Sequence, residues 1–300
     1  MSRATANGLL LLAGAIWGMG FIAQSTAMAS IGPFLFVGLR FLIATLVTLP
    51  FAFIEASRSG TAVDRNGWIG FVWIGLALFA GIILQQIGLL TTTVTNSGFL
   101  TGLYVVFVPF LMVLALRIAP HPVIWPASAF AFAGLYLLSG GAIVSLRAGD
   151  LLTILAAGFW AVQVILIAKF GTQTGRPITL SACQFAICAA LGLAGAALLE
   201  PISLTAVAAV LPEILYAGAI ASGLAFTLQA IGQRHTSPAL AAILLSTEAL
   251  FAAFFGAWFL GDRIGSLGYA GGFLIFVAIV AVEALPALQR RKAAPSAERA

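Results

Sequence analysis

The sequence predicts an all-α polytopic membrane protein of ten transmembrane helices, built as two inverted-topology five-helix repeats around a central cavity. Composition sets the class. The chain is 62% hydrophobic and only 8% charged, with a mean hydropathy of +1.12, whereas an ordinary globular chain carries about 25% charge. The repeat is written into the residues: Trp17 recurs as Trp160, Pro33 as Pro177, Glu55 as Glu200, Gln85 as Gln229 and Gly88 as Gly232, at offsets of 143 to 145. A unit with an odd number of spans that occurs twice places its second copy upside down, and such pairs typically form a binding site between them. A one-sided distribution of Lys and Arg completes the case.

A spanning helix needs roughly 20 apolar residues. The few charges, prolines and polar clusters divide the chain into ten such segments. The first runs from Gly8 to Met28, and Pro33 opens the second, to Phe53. Arg58 and Arg65 separate that from the third, Trp68 to Leu90, and a Thr-rich run precedes the fourth, Asn96 to Leu116. The fifth, Val123 to Val144, follows Pro120, His121 and Pro122. The second copy supplies Leu151 to Phe170, Ile178 to Leu198, Leu211 to Gln233, Pro238 to Leu260 and Ser266 to Leu285. A β-barrel strand would alternate apolar and polar residues, and runs such as Phe71 to Leu84 do not. The expected organisation is residues 1–146 for the first repeat, 147–286 for the second and 287–300 for a basic tail.

With connections assigned alternately to two sides, eleven basic residues fall on one side: Arg3, Arg58, Arg65, Arg117, Lys169, Arg176, Arg234, Arg290, Arg291, Lys292 and Arg299. The other side receives Arg147 and Arg263. The positive-inside rule therefore predicts a multi-pass inner (plasma) membrane protein with both termini cytoplasmic. The net charge of +5 reflects topology and not nucleic-acid binding, because the basic residues lie along a membrane face without a soluble aromatic patch. The tail RRKAAPSAERA is too polar to pack, and its basic cluster suits anionic lipid. The first segment is too long for a signal peptide and lacks a small-residue cleavage site, so it is expected to stay as a helix. Cys183 and Cys188 are five apart, about 500 degrees around a helix axis, with no further thiolate for a metal. They read as small buried hydrophobes.

Four stretches carry a resemblance: IWGMGFIAQSTAM, LFVGLRFLIA, TNSGFLTGLYVVFVPFL and TSPALAAILLSTEALFAAFFGAWFLGD. In order and spacing they resemble the EamA family of the drug/metabolite transporter superfamily, and within it the YddG-like aromatic amino-acid exporters. The resemblance implies a central cavity lined by the first four helices of each repeat, with the fifth and tenth outside. The chain departs from the family pattern twice. Glu248-Ala249 stands where members often have Glu-Pro, which implies a less kinked ninth helix, and Gly261-Asp262 replaces Gly-Glu with the charge kept.

Polar side chains within spans should turn toward protein or water. In the first helix Trp17, Phe21, Gln24 and Met28 share a face, and Trp160, Gln163 and Ile167 repeat that theme in the sixth. The two Trp residues form a candidate clamp for a flat or amphipathic solute, or serve as anchors and packing residues. Gln85, Gln86 and Gln229 lie in the third and eighth helices, and Ser97, Thr101 and Tyr104 share a face of the fourth. Amides and hydroxyls bind a zwitterion without the full desolvation cost of an ion pair, or else they join helices together. The candidate substrate-binding set is Trp17, Gln24, Gln85, Gln86, Thr101, Tyr104, Trp160, Gln163 and Gln229.

Arg40 and Glu248 are the ionisable residues deep in the spans. A charge there costs roughly 2.5 to 3.5 kcal/mol on insertion scales, so each needs a partner or a neutral form. Glu248 is a candidate coupling acid or ammonium ligand, or a structural carboxyl paired with Arg40. In the closest motif alignment Arg40 matches Gln184, and Glu248 matches Val108. Gly14 and Gly18, Gly70, Gly75 and Gly81, and Gly268, Gly271 and Gly272 offer faces for close helix approach.

Missing features narrow the function. There is no P-loop for ATP, no intramembrane catalytic set and no filter or charge ring, and neither cofactor nor metal is expected. Both histidines, His121 and His235, fall in connections. The expected function is export of a small metabolite by alternating access, with aromatic or bulky apolar amino acids favoured. A multidrug or organic-cation exporter is the closest alternative, followed by a nucleotide-sugar carrier and a membrane receptor or structural protein. A chain holding both repeats needs no partner to complete its cavity, so a functional monomer is expected.

Overall fold

The computed structural model describes residues 1–92, 94–141, 147–260, 263 and 265–293, and the regular structure among them is entirely helical. The spans are α1 (Arg3–Met28), α2 (Pro33–Arg58), α3 (Arg65–Gly88), α4 (Asn96–Leu114), α5 (Ile124–Leu138), α6 (Ala148–Thr174), α7 (Pro177–Leu199), α8 (Leu211–Gln233), α9 (Pro238–Phe259) and α10 (Ser266–Ala293). Among the described residues, eight of these are long and apolar enough to cross a membrane, and α5 and the 266–282 part of α10 are shorter apolar helices. The fifth segment ends earlier than expected, at Leu138, and residues 142–146 lie outside the described residues. So do Gly261, Asp262 and the end of the tail, 294–300, while α10 continues through Ala293.

Local chemistry sets the helix ends. Pro33, Pro177, Pro212 and Pro238 sit in first turns, where a missing N–H costs nothing. The side chains of Ser2, Asp64 and Ser237 cap α1, α3 and α9 by accepting from backbone N–H groups three residues on. Gly175 closes α6 in the left-handed conformation at φ 67°, which suits a residue without Cβ.

The inverted repeat is visible in one reciprocal contact. Glu55, in the last turn of α2, accepts hydrogen bonds from Ile178 N and Thr179 N at 3.1 and 2.8 Å, at the start of α7. Glu200, at the end of α7, accepts from Phe34 N and Leu35 N, both at 2.8 Å, at the start of α2. In each case the carboxylate takes the second and third N–H of a helix that begins with proline, where free donors and the positive dipole end coincide. A helix whose end holds its partner's beginning, and conversely, must run antiparallel to it. The pair therefore straddles a pseudo-twofold axis.

Other contacts obey the same symmetry. α3 packs on α6 as α1 packs on α8, α4 on α6 as α9 on α1, and α5 on α10. With no hydrophobic effect between helices in lipid, close packing has to supply the cohesion. A Cβ at Gly192 would come within 2.6 Å of Gly38 N, and one at Gly134 within 2.6 Å of Gly271 O. Gly14 and Gly18 admit the backbone of α9, where added Cβ atoms would meet Thr247 Oγ1 at 2.5 Å and Ala252 N at 2.6 Å. The glycine faces of the sequence are thus crossing points.

Two spans are interrupted at corresponding places. α4 breaks at Gly102 and Leu103, and α9 at Ser246 and Thr247, an offset of 144. The ninth helix is therefore interrupted without a proline at its break. Ser246 Oγ donates to Ile243 O at 2.8 Å and Thr247 Oγ1 to Leu244 O at 2.7 Å. These hydroxyls occupy carbonyls of the preceding turn in competition with the backbone ladder. The break also corrects the register: Glu248 corresponds to Tyr104 and not to Val108, because each is the first residue after its break. α8 carries a π-helical stretch, Tyr216–Leu224, whose counterpart in α3 is ordinary α-helix.

Candidate functional site

The interrupted helices frame a small central cavity of about 40 Å³, walled by aromatic and polar side chains. Its wall draws on α1, α2, α3, α4, α6, α8 and α9. Among the expected lining helices α7 is missing from the wall. Phe185 of α7 sits one layer back, its ring 5.8 Å from Phe41 and 6.1 Å from Phe226. Neither α5 nor α10 reaches this cavity.

Of the residues singled out from the sequence, Trp17, Gln24, Gln85, Thr101, Tyr104, Trp160, Gln229, Arg40 and Glu248 lie together on the wall. Gln163 stands behind it, donating to Gln229 Oε1 at 3.4 Å and to Gln184 Oε1 at 3.3 Å. Gln86 is fully buried beside Gln85 but faces away from the cavity, and Ser97 is buried off the wall as well. One residue's step around the helix separates the lining Gln85 from the packed Gln86, and that phase was not readable without the neighbouring helices.

Sequence reasoning missed Phe226, the centre of the aromatic wall. The Trp17 and Trp160 rings are 6.5 Å apart, and Phe226 lies 4.6 Å from the first and is stacked on the second at 5.7 Å with 3° between planes. Its repeat-related position is an aliphatic residue, Ile82, so the duplication gave no signal for it.

Polar groups on the wall divide into satisfied and open ones. Trp17 Nε1 donates to Ala221 O at 2.8 Å, and Gln85 Nε2 to Thr101 Oγ1 at 2.7 Å. In contrast, Trp160 Nε1, Gln24 Oε1, Arg40 Nη1, Tyr104 Oη and Glu248 Oε1 are buried without a hydrogen-bond partner. All five belong to residues that line the cavity, so its wall carries hydrogen-bonding side chains among the aromatic ones. Arg40 and Glu248 are not paired with each other. Arg40 Nε instead donates to Ser222 Oγ at 2.9 Å, on the π-helical stretch, and its guanidinium lies 5.6 and 5.2 Å from the Phe36 and Phe41 rings. Glu248 lies beside the Tyr104 hydroxyl.

A second, larger pocket adjoins the first toward the end of the bundle opposite the chain termini. It holds about 610 Å³ between α1, α4, α5, α9 and the start of α10. Phe21 lines both pockets and so stands between them. The first half of α9 packs on the second half of α4, closing the end near the termini, and Leu240–Leu245 is buried throughout. The two remaining halves splay apart. Among the described residues no group of His, Cys, Asp and Glu is placed to hold a metal, and both cysteines are free.

A membrane-spanning bundle with internal twofold symmetry and a polar-edged cavity on its axis defines the transporter class. A model of the EamA-like transporter family matches residues 4–140 and again 147–283, and the chain belongs to that family. An uncharacterized transporter of Archaeoglobus fulgidus is 32% identical over 282 residues, covering 92% of this chain and 84% of its own. The uncharacterized transporter YwfM of Bacillus subtilis is 28% identical over 295 residues, 94% of each chain. A crystal structure at 18% identity superposes with a TM-score of 0.80 over 98% of this chain and all of the other, which shows the shared fold.

Proposed function

We propose that the chain is a secondary transporter that exports small metabolites across the bacterial inner membrane by alternating access, with aromatic or bulky apolar amino acids as the favoured substrates. The observation that carries this reading is the aromatic wall of Trp17, Trp160 and Phe226 set among open hydrogen-bonding groups in one buried cavity. Such a wall receives an apolar side chain, and the open groups receive a polar backbone. With the termini cytoplasmic, the larger pocket faces outward, so the described conformation is the one that releases an exported solute. The substrate-contacting residues proposed are those on the wall, and one copy of the chain suffices because both repeats contribute.

A second reading, export of lipophilic cations, draws on Glu248 sharing the cavity with the Trp residues. Arg40 in the same cavity opposes it by like-charge repulsion. Competition in proteoliposomes between aromatic, aliphatic and charged amino acids and a quaternary ammonium decides the matter. Aromatic amino acids should compete best. Preference for the quaternary cation with no amino-acid flux would overturn the reading.

A further inference from the structure

The central cavity contains one buried cation and one buried carboxyl group that do not neutralise each other. Arg40 is 2% exposed and Glu248 is 6% exposed, and both line the same wall. Arg40 is held from behind: Ser222 Oγ accepts from its Nε, and the Phe36 and Phe41 rings flank the guanidinium. Those contacts fix its direction and soften its desolvation, yet ring faces are a weak substitute for an anion. Nη1 remains open. Near Glu248, an open Oε1 and an open Tyr104 hydroxyl lie together. Each half of the cavity thus lacks the same thing, a charged partner of opposite sign.

We propose that the transported molecule supplies both partners at once, its carboxylate accepting from Arg40 and its ammonium donating to Glu248, so that the cavity selects zwitterions. The inference rests on the amino-acid reading above for the apolar side chain, but it concerns charge form, which the aromatic wall does not determine. A bidentate guanidinium suits a carboxylate, and Arg40 retains unused donors after its bond to Ser222. Ser222 is a positioning residue. It stands on the π-helical stretch of α8, and Gly218 in that stretch allows the approach to α2, since a Cβ there would lie 2.8 Å from Arg40 O. A guest lacking either charge would leave one buried ionisable group uncompensated, and a site built for a polar group rejects the analogue without it far more strongly than an apolar pocket rejects a smaller homologue.

Three compounds isolate the two charges: L-phenylalanine, phenethylamine, which lacks the carboxylate, and 3-phenylpropanoate, which lacks the ammonium. Uptake of each at pH 7 into proteoliposomes holding the full chain should favour phenylalanine by at least about tenfold over either analogue. Arg40→Gln should collapse the preference over phenethylamine to near unity and keep the preference over 3-phenylpropanoate. Glu248→Gln should do the reverse. Arg40→Lys, which keeps a cation, should restore part of the first preference, and a monodisperse gel-filtration profile with an unchanged melting temperature verifies that each variant is folded. Should Arg40→Gln not fold, the Arg40→Lys and Glu248→Gln ratios decide. Flux of phenylalanine without discrimination, or equal loss of both preferences in either single variant, overturns the zwitterion inference and leaves the transport reading in place. Absence of phenylalanine flux from the unaltered protein overturns both.

Discussion

Tyr104 and Glu248 are repeat-equivalent residues, 144 positions apart, that face one another across the pseudo-twofold axis, each the first residue beyond the break in its helix. The Tyr104 hydroxyl has no hydrogen-bond partner. Tyr104→Phe should therefore leave stability within about 0.5 kcal/mol of the parent while lowering substrate affinity. A melting curve in detergent read beside a saturation curve in proteoliposomes separates the two effects.

The two tryptophans should separate stability from binding. Trp17 Nε1 is satisfied by Ala221 O at 2.8 Å, whereas Trp160 Nε1 is buried without a partner. Trp17→Phe should cost about 1 kcal/mol through the lost hydrogen bond, and Trp160→Phe much less by that route. Trp160→Phe should act on substrate affinity. Chemical denaturation and competition binding on both variants check the contrast.

Removing the carboxylate clasp should be additive. Glu55→Ala and Glu200→Ala each leave two helix N–H groups without a charged acceptor, a loss of about 1 to 3 kcal/mol each. The sites lie at opposite ends of α2, about 30 Å apart at 1.5 Å per residue, so the double variant should equal the sum to within about 0.5 kcal/mol. Coupling well beyond that value would show that the two ends communicate.

The break in α9 depends on hydroxyls, so it should close without them. Ser246→Ala with Thr247→Val removes both donors to the preceding turn. The doubly substituted helix should be at least as stable and straighter, and transport should slow by about tenfold or more if the break acts in the cycle. Spin labels on either side of Glu248 report the straightening independently of flux.

Glycine substitutions should sort by crossing point. Gly192→Ala forces a Cβ to within 2.6 Å of Gly38 N and should reduce the yield of folded protein. Gly158→Ala meets nothing within 4 Å and should be tolerated. Gel-filtration yield after matched expression measures both.

The class, the spans and the repeat were legible because each leaves a periodic or compositional trace: apolar runs, alternating charge and residues recurring near offset 144. Most of the wall was legible too, since a polar or aromatic residue within an apolar run has few places to go. What escaped depended on neighbours. Phe226 looks like any apolar residue until two tryptophans meet its ring. Gln86 differs from Gln85 by one step of helical phase, and Arg40 was matched by depth to Glu248 although it turns to Ser222. The break at Ser246 and Thr247 carries no proline or glycine, so its cause lay in hydroxyl geometry invisible to punctuation.

The reciprocal clasp has an ancestral implication. Its parts are a proline-led helix start and a glutamate at a helix end, and each half of the chain carries both. A half-length precursor inserted in both orientations would already have the pieces to dimerise through this contact. The differences between Arg40 and Gln184, and between Tyr104 and Glu248, are another matter, because identical subunits cannot carry different residues at one position. A single chain that carries both halves can hold a chemically lopsided cavity while the joint between the halves stays symmetric.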